Sequence, residues 1–208
     1  MSYIRYLLII LIYGLLPITS TAASTLVVLG DSLSAAYGIN PKHGWVELLQ
    51  QRITDKGYPL EVINASISGD TTLGGYRRLK PILEKHQPSI IVIELGANDG
   101  LRGLSLTAMK NNIANMIRTS KAAQTRVILI GMKLPPNYGP AYSAAFQRVY
   151  TDLAKKYSIT LIPFLLNGLE TQFNLFQADG LHPTQAAQSI ILDTVWPDIY
   201  HVIKKPPF

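Results

Sequence analysis

Two short segments near opposite ends of this 208-residue chain carry side chains suited to nucleophilic chemistry. Leu29-Gly30-Asp31-Ser32-Leu33-Ser34 sets a hydroxyl just after an apolar run, and Gln177-Ala178-Asp179-Gly180-Leu181-His182-Pro183 sets a carboxylate three residues before an imidazole. A serine hydroxyl is a weak nucleophile until a base takes its proton, and an imidazole can do this when a carboxylate fixes its other ring nitrogen. Gly180 permits a tight turn and Pro183 is suited to begin a helix, so Asp179 can be aimed at His182. A serine at a strand-to-helix junction would stand exposed at the top of a sheet, beside backbone N–H groups able to stabilise negative charge, and Gly30 would let the backbone approach a ligand closely. Taken singly, each segment also reads as a plain turn or helix cap, for which Asp and Ser are the usual residues. The order Ser, Asp, His on two loops at one edge of a sheet favours the chemical reading.

Two further loops lie between them. Ser66-Ile67-Ser68-Gly69-Asp70-Thr71 and Leu95-Gly96-Ala97-Asn98-Asp99-Gly100 each follow an apolar run. Acyl transfer needs donors aimed at a developing oxyanion, which a glycine backbone N–H and an asparagine side-chain amide can supply. In isolation both segments are ordinary turns, and only a shared position with Ser32 gives them more.

The elements that must bring these loops together follow from periodicity. Short β-branched runs predict strands over 25–29, 60–64, 89–95, 126–130 and 160–162, and helical spacing predicts helices over 44–56, 72–86, 106–122, 140–157 and about 183–195. Breakers fall between them at Lys56-Gly57-Tyr58-Pro59, at His86-Gln87-Pro88, and in the rigid loop Pro135-Pro136-Asn137-Tyr138-Gly139-Pro140. Strand and helix in alternation predict an α/β fold, a parallel five-stranded sheet with helices on both faces. Ligands in such sheets bind at the carboxyl ends of the strands, where all four loops lie.

Composition fits one globular domain, with 48% hydrophobic and 15% charged residues. The net charge of +6 is scattered, and its densest cluster, Arg77, Arg78 and Lys80, reads as a solvated helix face without any nucleic-acid motif beside it. Absence of cysteine removes disulfides, thiol nucleophiles and a lipid-attachment site. Arg5, the apolar run over 6–16, Pro17 and the small polar stretch 19–24 have the layout of a secretory signal peptide cleaved after Ala23. The alternative is a retained anchor, though the run is shorter than the about 20 apolar residues a span requires. The expected organisation is thus a signal peptide over 1–23 and one domain over 24–208.

Gly30-Asp31-Ser32-Leu33, Gly69 within Asn64-Ala65-Ser66-Ile67-Ser68-Gly69-Asp70-Thr71, Gly96-Ala97-Asn98-Asp99 and Asp179-Gly180-Leu181-His182 resemble, in order, the four motif blocks of the SGNH (GDSL-type) hydrolases. Glu94 to Gly103 and Leu134-Pro135-Pro136-Asn137-Tyr138-Gly139 extend the likeness to the bacterial periplasmic group with thioesterase, lysophospholipase and arylesterase activity. The resemblance implies a flavodoxin-like three-layer α/β/α fold, no cofactor, and an oxyanion hole made by the Ser32 N–H, the Gly69 N–H and the Asn98 side chain. Ala97 stands where the group often has a second glycine, and Ala178 where an acidic residue commonly precedes the aspartate.

The expected activity is cleavage of small-molecule carboxylic esters and thioesters through an acyl-enzyme on Ser32, with His182 as base and Asp179 orienting it. Leu33, Leu101, Leu104, Leu134 and Pro135 are candidates to line an acyl pocket, although apolar residues beside a sheet also serve as core. An O-acetyl esterase of envelope carbohydrate would use the same groups. An inactive lipid- or glycan-binding module would be expected to lack Ser32, His182 or Asn98. The four histidines, at 43, 86, 182 and 201, show no metal-ligand spacing, and Gly74-Gly75 lacks the partners of a phosphate or dinucleotide loop. No metal, cofactor or nucleic acid is indicated, and the exported chain is expected to be a monomer without stable membrane insertion.

Overall fold

The computed structural model describes residues 24–205; the signal peptide expected over 1–23 lies outside them. Five parallel strands form one sheet: β1 (Ser24–Gly30), β2 (Leu60–Asn64), β3 (Ile90–Glu94), β4 (Arg126–Ile130) and β5 (Thr160–Ile162), in the order β2-β1-β3-β4-β5. The sheet is covered on both faces, so its central strands carry continuous apolar runs rather than alternating, residues 26–29 in β1 and 90–93 in β3. Leu26 to Leu29 and Ile90 to Ile93 are buried, each such side chain contributing about 1.5–3 kcal/mol.

Six helices complete the three layers: α1 (Trp45–Asp55), α2 (Thr72–His86), α3 (Ala97–Leu101), α4 (Leu106–Ala122), α5 (Pro140–Tyr157) and α6 (Gln188–Ile203). On one face α2 packs on α4 and α4 on α5; on the other α1 packs on α6. Trp45, Leu49 and Ile53 of α1 and Leu79 and Leu83 of α2 are buried as their spacing predicts, whereas Leu48 is only half-buried and Tyr76 is exposed. Gly44 has no side chain to cap α1, and the buried Gln188 Oε1 accepts the Trp45 N–H at 3.0 Å instead, joining the two helices of that layer.

Two predicted boundaries shift. The last helix begins at Gln188, not near Pro183, and continues through Pro197 to Ile203. A proline inside a helix costs about 3 kcal/mol, but Ile199 and Val202 beyond it are buried, and their burial outweighs that cost. Arg78, predicted to be solvated, turns inward: its Nε donates to Asp70 Oδ2 at 2.8 Å and its Nη1 donates to the Ala65 carbonyl. It thereby ties α2 to the loop after β2.

The strand order reverses between β1 and β3, and the loops that leave these strands at their carboxyl ends diverge there to form a crevice. Register sets Gly30 beside Glu94, so the segment that carries Ser32 starts next to the segment that carries Asn98.

Candidate active site

Ser32 follows β1 in a run of turns, not at a helix start as its sequence context suggests. Asp31 O accepts from the Ala35 N–H at 2.9 Å as in a single helical turn, and Ser32 O accepts from the Tyr37 N–H at 3.1 Å, the five-residue bond that closes such a turn. Ala36 at φ 59° and Gly38 at φ 74° then turn left-handed and stop it. The turns leave Ser32 half-buried between the buried Asp31 and Leu33.

The opposite loop is a closed hairpin-like turn rather than a helix entry. Phe176 and Pro183 form an antiparallel bridge, the Gln177 N–H donates to His182 O at 2.8 Å, and Gly180 makes the turn at φ 68°. Within it Asp179 Oδ1 accepts the Leu181 and His182 backbone N–H groups at 2.9 and 3.0 Å, while Oδ2 lies 2.6 Å from His182 Nδ1. The His182 N–H, then the imidazole, then the Leu181 N–H hold the Asp179 carboxyl down at about 2. An ionised carboxylate can only accept, so Nδ1 carries the ring proton and Nε2 is left as an acceptor. That nitrogen is 2.9 Å from Ser32 Oγ, close enough to accept the hydroxyl proton.

Asn98 lies in the helical turn α3, not in an open loop. Gly96 precedes it at φ 118°, and the Asn98 Nδ2 donates to Asp31 Oδ2 at 3.1 Å. Gly69 ends the loop after β2 at φ 79°, half-buried. The structure therefore brings Ser32, Asp179 and His182 into one hydrogen-bonded chain and links Asn98 to it through Asp31. The Asp99 side chain is buried and turned away from the site: it accepts the Thr72 N–H at 2.8 Å and Thr72 Oγ1–H at 2.6 Å, capping α2.

The apolar candidates divide. Leu33 and Leu134 belong to the core, Leu101 and Pro135 are half-buried, and Leu104 is exposed. Exposed Ile67 and Leu181, two residues from Gly69 and one from His182, were not singled out by sequence. Among the described residues no cluster of His, Asp and Glu converges to hold a metal ion, and no helix is long and apolar enough to cross a membrane.

Beneath the Ser32 loop lies a carboxyl pair that sequence reasoning did not find. Glu94 is fully buried; its Oε2 accepts the Ser34 Oγ–H at 2.7 Å and the Asp31 N–H at 3.3 Å, and its Oε1 has no partner. Burial first, and the neighbouring Asp31 charge second, push its carboxyl well above the usual range, which favours the neutral acid. Burial likewise pushes Asp31 up to about 6, against the Leu33 N–H and Asn98 amide that favour its charged form. Three further residues join the site: the Tyr37 ring lies 4.5 Å from the His182 ring between centroids, Gln177 Nε2 donates to Tyr37 O at 2.8 Å, and Arg102 Nη2 donates to Gly69 O at 3.0 Å.

The sequence profile of the GDSL-like Lipase/Acylhydrolase family matches residues 28–190, a stretch that runs from β1 through the Asp179–His182 turn into α6. The chain belongs to this family. It is 49% identical over 178 residues to Esterase TesA of Pseudomonas aeruginosa, covering 86% of this chain and 89% of that one. It is 40% identical over 189 residues to an Arylesterase of Vibrio mimicus, covering 91% and 94%. Among solved structures, the psychrotrophic esterase EstA from Pseudoalteromonas sp., inhibited by monoethylphosphonate, superposes with a TM-score of 0.84 at 39% identity, covering 88% of this chain and 100% of that chain. As a GDSL-like acylhydrolase the chain is a hydrolase of ester bonds, and the three-layer sheet is that of the family.

Proposed function

We propose that this hydrolase cleaves carboxylic esters and thioesters through an acyl-enzyme on Ser32. The observation that carries the reading is the chain Ser32 Oγ, His182 Nε2, His182 Nδ1, Asp179 Oδ2, with links of 2.9 and 2.6 Å at its two hydrogen bonds. As Ser32 Oγ bonds to the acyl carbon, its proton passes to His182 Nε2, and the imidazolium that forms is stabilised by the Asp179 carboxylate. The carbonyl oxygen takes the negative charge and is held by the Ser32 N–H, the Gly69 N–H and the Asn98 amide. Collapse breaks the bond to the alcohol or thiol, which leaves with the proton from His182. Water then attacks the acyl-enzyme with His182 again as base, returning Ser32 and releasing the acid. Aryl esters, acyl thioesters and lysophospholipids are the proposed substrates, since relatives of this chain are named arylesterase and thioesterase 1/protease 1/lysophospholipase L1.

The layout of residues 1–23 supports export with cleavage after Ala23, giving a periplasmic or secreted monomer. The catalytic assignment is tested by treating the purified protein with a fluorophosphonate and mapping the modified peptide. The adduct is expected on Ser32 alone, and Ser32→Ala should lose labelling and ester hydrolysis together while keeping its melting temperature. An adduct on Ser34, Ser66 or Ser68, or undiminished hydrolysis in Ser32→Ala, would overturn the assignment.

A further inference from the structure

We propose that Arg102 is a positioning residue for the oxyanion hole, a role that rests on the reading of Gly69 and Asn98 given above. Asn98 and Arg102 stand four residues apart on one helical turn and so share a face, with the Arg102 N–H donating to Asn98 O at 3.2 Å. From that face a single guanidinium nitrogen, Nη2, reaches two acceptors: Gly69 O at 3.0 Å and Asn98 Oδ1 at 3.4 Å. Gly69 and Asn98 come from different loops, after β2 and after β3, separated in the sheet by β1. Arg102 is the direct side-chain link between them.

The arrangement at Asn98 explains why a cation is placed there. A side-chain amide has two orientations that differ only by exchange of O and N, and only one presents an N–H to an oxyanion. Here the Nδ2 end faces the Asp31 carboxyl at 3.1 Å and the Oδ1 end faces the Arg102 guanidinium. An acceptor at one end and a cationic donor at the other fix the orientation before substrate arrives. A cation on Oδ1 also draws electron density from the amide, which strengthens the remaining N–H as a donor when charge develops on the substrate. At Gly69 nothing but the guanidinium lies near where a Cβ would be, with Nη2 at 3.6 Å, and the same nitrogen donates to the Gly69 carbonyl, holding that peptide from the Asn98 side.

Arg102 is not committed elsewhere. It is exposed, and among the described residues no carboxylate pairs with it, so its replacement should leave the fold intact. Its expected signature is therefore kinetic, falling on kcat more than on KM, because the hole strengthens its grip mainly in the transition state.

A double-mutant cycle on a neutral nitrophenyl ester tests this, using wild type, Arg102→Ala, Asn98→Ala and the double variant, each checked by thermal melting. Asn98→Ala should lower kcat by roughly 10²–10³, the usual cost of one such donor. Arg102→Ala should lower kcat by roughly tenfold with KM changed less than about twofold, the scale of losing one hydrogen bond to a charged group. In the Asn98→Ala background the further loss on removing Arg102 should shrink to about threefold or less, the remainder acting through Gly69. If Asn98→Ala loses activity as stated but the Arg102 factor is absent, multiplies undiminished, or appears in KM alone, Arg102 does not position the hole. If Asn98→Ala keeps more than about a third of wild-type kcat, the reading of Asn98 itself fails and takes the role of Arg102 with it.

Discussion

Replacing Asp31 by Asn should change how stability depends on pH, because its carboxyl is buried. Asp31 is fully buried and burial pushes its carboxyl from 3.8 up to about 6. Between about pH 4 and pH 6 the native chain keeps a proton there that the unfolded chain has released, so stability falls as pH rises, by 1.36 kcal/mol per unit. Across about two units the loss is about 3 kcal/mol; it is complete above pH 6 and absent below pH 4. Asp31→Asn retains an oxygen to accept the Leu33 N–H but has no charge to bury, so this segment of slope should vanish. Relative to wild type the variant should gain about 3 kcal/mol between pH 4 and pH 7.5, or roughly 6–12 °C in Tm for a domain of this size. Glu94 is present in both proteins, but the Asp31 charge helps to raise its carboxyl, so the replacement also lowers Glu94 and weakens its own fall of stability with pH, a change in the same direction. Urea unfolding of both at half-unit intervals from pH 4 to pH 8 makes the comparison, and two curves that stay parallel within about 0.5 kcal/mol would refute the burial argument. The replacement also sets an amide against the Asn98 amide, so ester hydrolysis should fall by roughly tenfold even where stability rises.

Asp99→Ala removes the acceptor of the Thr72 N–H and hydroxyl at the start of α2 and should cost about 2–4 kcal/mol, while folded enzyme keeps kcat within about threefold; melts and kinetics on the same preparation separate the two roles. Gly96→Ala would require a residue at φ 118° whose Cβ meets Tyr150 Oη at 2.3 Å and Met109 Cε at 2.7 Å. It should also displace the Tyr150 hydroxyl from Leu95 O, 3.0 Å away, and cost about 3 kcal/mol or more. A melting temperature within about 2 °C of wild type would contradict that.

The strands and most helices were legible because their signals are local. The apolar runs of β1 and β3 need no partner to be recognised, and Gly57 and Pro88 mark the ends of α1 and α2 whatever surrounds them. Ser32, Asp179 and His182 were legible for a different reason: three chemically suited side chains fall in order on loops that the fold class gathers at one sheet edge. What escaped depends on register and on backbone choices that residue type does not dictate. Ala36 gives no sign of its left-handed φ, so a helix is expected after Ser32 where turns occur. Glu94 ends an otherwise apolar strand, and only the pairing of Gly30 with Glu94 reveals that it sits under the Ser32 loop. Arg102 escaped because the short stretch between Gly96 and Gly103, itself broken by Gly100, reads as a loop; seen as a helical turn, the four-residue interval from Asn98 would have found it.

The hydrogen bond between Ser32 and His182 closes an interval of 150 residues. Gln177 reinforces this closure from the same late segment by donating to Tyr37 O, and α6, the last helix, packs on α1, the first. β1, β2, β3 and α2 all precede Asp179 and His182 in the chain, so the sheet edge that carries Ser32 and the turn that faces it come from opposite ends of the sequence. Without the Asp179–His182 turn, Ser32 Oγ would have no imidazole within hydrogen-bond distance. If Ser32 and His182 act as proposed, a polypeptide that stops anywhere before residue 182 carries a hydroxyl that nothing can deprotonate, and hydrolysis depends on the two ends of the chain meeting.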